Sequence, residues 1–155
     1  MLLPQSYYLH RDVVFLAKDL IGKYLFSKID GQLCGGIITE TEVYKGDAIL
    51  IRAIHATHGE ELMLKRTGKP QMKPQVTDGP GKVTKALGIT LADNGESLQN
   101  KRIWIEDRGF DLSEIEILNT PRIGVEYAGE DALLLYRFLL EPRFNKIYKI
   151  NRIFK

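Results

Sequence analysis

The chain has 155 residues, 44% hydrophobic and 27% charged, with 22 Lys and Arg against 20 Asp and Glu for a net charge of +2. That balance suits one globular domain with a single core and excludes a low-complexity or disordered chain. No apolar run approaches the roughly 20 residues that cross a bilayer, the N-terminus lacks a signal-peptide pattern, and a sole cysteine, Cys34, points to a reducing cytoplasm.

Asp12 is placed to cap a helix whose apolar residues Val13, Leu16, Ala17 and Leu20 share a face, and Gly22 stops it. Lys23 to Ile29, the turn Asp30-Gly31, and a second run through Ile37 to Tyr44 read as a hairpin. Cys34, within an apolar stretch, reads as a buried small hydrophobe. Ile49 to Ile54 is a further strand, and Thr57 with Glu60 has the spacing of a capping box for a helix ending before Gly68. Lys69 to Asp78 is a polar loop, and Gly79-Pro80-Gly81-Lys82 opens a helix, Val83 to Leu87, closed by Gly88. Strands are expected at Arg102–Glu106, Ile115–Leu118 and Arg122–Val125, with a last element around Leu133–Leu140. Strands dominate, so the expected class is α+β: one compact domain over residues 1–155, with a largely antiparallel curved sheet and a few helices.

Two groups of residues could carry chemistry. Glu42 and Tyr44, two apart in a strand, project from the same face. A carboxylate beside an aromatic ring can deprotonate a water while the ring stacks on an extruded base. Arg52 sits among aliphatic neighbours and needs a carboxylate partner or a cleft. On spacing alone, a structural ion pair outweighs catalysis. The second group is Gly79, Gly81, Lys82 and Thr84, where exposed amides at a helix start suit a phosphate, although a structural turn explains the same pattern. Between Tyr136 and Lys155, six basic residues oppose Glu141 alone. This strip reads either as a phosphate-facing surface or as a solvated tail.

Six segments in order carry a resemblance. Leu16 to Leu25, Thr39-Glu40-Thr41-Glu42-Val43-Tyr44-Lys45-Gly46, Ile49 to Ile54, Asp78 to Ile89 (DGPGKVTKALGI), Pro121 to Val125 and Tyr136-Arg137-Phe138 together resemble the methylpurine (3-methyladenine) DNA glycosylases. The resemblance implies a monofunctional hydrolase of N-glycosyl bonds in base excision repair, with no metal or other cofactor. Its partner would be double-stranded DNA containing a damaged purine. A monomer in the cytoplasm, nucleoid-associated if prokaryotic, is expected. Glu42 would activate water, Arg52 would hold that water and the carboxylate, and Tyr44 would stack on the flipped base. Gly79, Gly81, Lys82 and Thr84 would meet DNA phosphate.

The family pattern breaks between about residues 47 and 48. There the glycosylases continue for several dozen residues that supply a histidine and a tyrosine of the base pocket, a wedge tyrosine and an asparagine. Here Gly46-Asp47 runs directly into Ala48-Ile49. Either the segment is deleted and Lys45-Gly46-Asp47 is a tight turn, or the sequence in hand lacks a segment that the whole protein carries. His55 and His58 lie after the Arg52 strand and read as loop or cap residues; Tyr7 and Tyr8, in the N-terminal arm, do not match the wedge. The alternatives to an active enzyme are a catalytically silent nucleic-acid-binding relative and a defective remnant.

Overall fold

In the computed structural model, which describes residues 1–9, 12–44 and 48–144, a short helix α1 (Gln5–Leu9) that the sequence did not announce precedes the first capped one. Asp12 then accepts from the Val14 and Phe15 amides at 2.9 and 3.0 Å and opens α2 (Val13–Asp19). Strand β1 (Tyr24–Ile29) turns through Asp30 and Gly31 into β2 (Gln32–Tyr44). Both turn residues have positive φ, 52° and 75°, which is the conformation that matches strand twist in a two-residue hairpin.

The long β2 organises the molecule. Along residues 35–37 it is flanked by β1 and by β3 (Ala48–His58); along residues 40–42 it is flanked by β6 (Arg137–Leu140) and β3. β1 and β6 therefore share one edge of β2 and β3 takes the other. β4 (Ile103–Glu106) pairs outside β1, and β5 (Ile117–Thr120) outside β6, giving six strands among the described residues, with every pairing there antiparallel. At Gly36 the sheet admits only glycine, because a Cβ there would lie 2.2 Å from the His55 carbonyl oxygen.

Helices α2, α3 (Glu60–Thr67) and α4 (Pro80–Leu87) pack on this sheet around one cluster that includes Leu16, Ile37, Ile38, Met63, Leu87 and Ile105. Cys34 is fully buried in it, as its setting suggested. Two buried hydroxyls tie sheet to helices: Ser27 donates to the Leu87 carbonyl at 2.7 Å and Thr41 to that of Ala17 at 2.8 Å. Each serves a carbonyl near a helix C-terminus, where the helix itself leaves acceptors unmatched.

Five sequence expectations need correction. Thr57 is no helix cap: β3 continues to His58, Thr57 donates to the Gly35 carbonyl at 3.4 Å, and α3 starts from Gly59 in a left-handed conformation. His55 and His58 accordingly lie in a strand, not a loop. Arg122–Val125 forms no strand, since Gly124 at φ 69° turns the chain away, and β5 lies two residues later than expected. The last element divides into 3-10 turns over Glu126–Leu133, broken at Gly129, and the strand β6. Lys45-Gly46-Asp47 and most of the basic strip lie outside the described residues; the β2–β3 ladder reaches Tyr44 opposite Ala48.

Candidate active site

The three-strand centre β6–β2–β3 gathers four charges on one face. Alternation along β2 places Glu40, Glu42 and Tyr44 together, and pairing of Glu42 with both Leu50 and Arg137 brings in side chains from either flank. The register slips twice here, leaving Thr39 unpaired on β2 and Arg52 unpaired on β3. Such bulges re-aim the side chains beside them, and Arg52 is turned across onto β2.

Glu40 is the hub. Its Oε1 accepts from Arg52 Nε at 2.9 Å and from Arg137 Nε at 2.6 Å. Arg52 then reaches Glu42 Oε2 with Nη1 at 3.4 Å, and the same oxygen accepts from the Tyr44 hydroxyl at 3.0 Å. Glu42 Oε1 accepts from the backbone N–H of Ile123 at 2.9 Å and stands 4.0 Å from Arg137 Nε. Two carboxylates face two guanidiniums, so the cluster is formally neutral, as a mostly buried ionic group must nearly be. Glu42 is wholly buried and Glu40 8% exposed. Burial, then the bond to Glu42, raises the Tyr44 phenol above its ordinary value.

A second layer closes over Tyr44. The Arg122 guanidinium lies 5.3 Å from the centre of its ring, with Nη1 donating to the Val43 carbonyl at 3.3 Å and Nη2 to that of Asp131 at 3.1 Å. The stretch expected as a strand thus folds inward instead: Arg122 covers the tyrosine and Ile123 covers the carboxylate. On the Glu40 side, a cavity of about 510 Å³ is lined by Glu40, Arg137, Ala53, His55, Met72 and Asp78 among others.

The α4 segment adjoins this group from behind β3. Gly79, at φ 126°, donates its N–H to the Arg52 carbonyl at 2.8 Å, and Asp78 bridges to Ala53. Gly81 and Lys82 are exposed, whereas the Thr84 hydroxyl donates back to the Gly81 carbonyl at 3.1 Å. The structure therefore joins Glu42, Tyr44 and Arg52 directly, and places Gly79 against the Arg52 backbone with Gly81, Lys82 and Thr84 beyond it. Sequence reasoning missed Glu40, Arg122, Ile123 and Arg137 as members. Glu40 was findable from the T-E-T-E alternation; the others arrive through pairings more than 75 residues away in sequence. Among the described residues no group of three or more His, Cys, Asp or Glu side chains is placed to hold a metal.

The family model for methylpurine-DNA glycosylase matches residues 45–143. A protein of Chlamydia felis named "Putative 3-methyladenine DNA glycosylase" is 33% identical over 94% of this chain and 99% of its own length. One of Chlamydia abortus with the same name is 33% identical over 90% and 98%, and one of Methanocella arvoryzae is 39% identical over 68% and 51%. The Chlamydia felis alignment runs over 196 positions, while 94% of 155 residues is about 146, so about 50 positions of that relative have no counterpart here.

Proposed function

Because the chain belongs to the methylpurine-DNA glycosylase family, we propose that it hydrolyses the N-glycosidic bond of an alkylated or deaminated purine in double-stranded DNA. The observation that carries this reading is the buried Glu42 carboxylate, held by Arg52 at 3.4 Å and by the Tyr44 hydroxyl at 3.0 Å. Glu42 takes a proton from a water whose oxygen bonds to the sugar carbon. The carbon–nitrogen bond breaks, its electron pair departs with the purine, and an abasic site remains. An alkylated purine is already a good leaving group, so one positioned carboxylate can suffice for it, and a deaminated purine leaves once it takes up a proton from solvent; no metal or other cofactor is required. Arg52 fixes the carboxylate and its water, and Tyr44 meets the extruded base.

Both groups are covered in this conformation, which adds a step to the reading. Ile123 occupies Glu42 Oε1 and Arg122 lies on the Tyr44 ring. Segment 121–125 therefore gives way when DNA binds. Phosphate contact falls to Gly81 and Lys82, with Gly79 and Thr84 shaping the helix start. The acting species is a monomer, in the cytoplasm or on the nucleoid.

A second reading, a catalytically silent DNA-binding relative, is favoured by the roughly 50 positions that the Chlamydia felis protein has and this chain lacks. An alkali-cleavage assay on a duplex bearing one hypoxanthine or ethenoadenine separates the two. The enzyme produces abasic sites, and Glu42→Gln lowers the single-turnover rate at least 100-fold, the upper range of a positioned general base being about 10⁴. Duplex binding with no alkali-labile site would instead establish the silent reading.

A further inference from the structure

The cover over Glu42 and Tyr44 is held mainly by Arg122. Its guanidinium lies 5.3 Å from the centre of the Tyr44 ring and donates to the Val43 and Asp131 carbonyls at 3.3 and 3.1 Å. Arg52 and Arg137 each meet a carboxylate. Arg122 forms no ion pair among the described residues, and its Nε is buried with no hydrogen-bond partner there. A buried donor left unmatched weakens the closed arrangement. Ile123 beside it is 48% exposed, so its side chain adds little packing while its N–H caps Glu42 Oε1 at 2.9 Å. The chain beyond is jointed. Val125 is buried, but Gly124 at φ 69° stands between it and the cover, and Gly129 holds φ 59°, ψ −132°. No side chain of Glu126–Leu133 is buried. A segment with two glycine joints and little buried surface opens at small cost.

We propose that Arg122 is a displaceable occupant of the place where the extruded base stacks, and that it gates access to Glu42 and Tyr44 by swinging out with Ile123 about Gly124. A guanidinium is a flat, delocalised cation, and an N-alkylated purine offers the ring a face of the same kind. The ring takes one or the other. Because Arg122 and Ile123 are adjacent, one movement uncovers both the stacking face and the carboxylate oxygen beside it. Every base must displace the same guanidinium, so Arg122 lowers all rates by one factor and leaves the preference among bases unchanged. The base as arriving ligand rests on the glycosylase reading; the gate does not, and it is read without activity.

Ile123 amide exchange and Tyr44 nitration by tetranitromethane, located by peptide mapping, test the gate in the full chain. In Arg122→Ala both are expected to rise at least about tenfold. Millimolar ethylguanidinium, or free 3-methyladenine, is expected to protect Tyr44 of that variant again by refilling the emptied place. Gly124→Ala sets a Cβ at positive φ and strains the closed conformation with Arg122 intact, so both rates rise about fivefold; it supplies the test should Arg122→Ala fail to fold. Single-turnover excision from a duplex bearing ethenoadenine rises with them. The proposal is overturned by wild-type exchange and nitration in the folded variants, by ethylguanidinium that gives no protection, or by excision that falls while Tyr44 is more open, which would make Arg122 a helper of the reaction. Faster exchange and nitration with no abasic site in any form, wild type included, would uphold the gate and end the glycosylase reading.

Discussion

Glu40 and Glu42 are two residues apart on one strand, yet the structure gives them different work. Glu40 anchors both arginines through one oxygen, and Glu42 receives what those arginines leave over together with a backbone N–H. Glu40→Ala leaves two mostly buried guanidiniums short of a partner and is expected to destabilise the fold by about 3 kcal/mol, read as a lower urea midpoint. Tyr8 offers the opposite case. Its buried hydroxyl has no hydrogen-bond partner among the described residues, so Tyr8→Phe is expected to stabilise by about 1 kcal/mol. Burial pushes that phenol up to about 12. The folded chain keeps the proton longer than the unfolded one, so stability is complete below about pH 10 and is lost as pH rises toward 12. Urea titrations across that range should show the alkaline loss in the wild type and a smaller one in Tyr8→Phe. Much of the site was legible at this scale: alternation put Glu42 and Tyr44 on one face, and the cost of a lone charge required a carboxylate for Arg52. Arg137 and the Ile123 amide were not, because nothing local in Tyr136-Arg137-Phe138 or Pro121-Arg122-Ile123 records which strand will lie beside them.

Elements with strong local punctuation were readable from the sequence. Asp12, the Asp30-Gly31 pair and the Gly79-to-Gly88 frame each fix backbone geometry within a few residues, and each is found where expected. Elements decided by distant neighbours were not. Thr57 and Glu60 have capping-box spacing, but Gly35 and Gly36 offer β3 a pairing surface that extends the strand through His58. The two bulges belong to the same class: Thr39 and Arg52 look like ordinary strand residues, and only the pairing of β2 with both β3 and β6 forces the extra residues out of register. Arg122–Val125 had the β-branched content of a strand; the positive φ of Gly124 and the demand of a buried carboxylate for an N–H donor outweighed it.

For the molecule as a whole, the question is whether a chain shorter than its relatives still folds as a unit. The core cluster is continuous from α2 through the sheet to α4, and helices cover it without the additional segment. A single cooperative unfolding transition, with calorimetric and van't Hoff enthalpies equal, is therefore expected; a broad, non-cooperative melt would mark a defective remnant. The continuity has a source in one pair described above. Tyr44 stands opposite Ala48, so the two sides of the break that the resemblance leads us to expect near residues 47 and 48 are held by ladder neighbours, about 5 Å apart. A detour that leaves and returns at one point can be lengthened or removed at a loop-closure cost that grows only logarithmically. A relative's segment grafted between Tyr44 and Ala48 is therefore expected to add a module without redrawing the strands that hold Glu42 and Arg52.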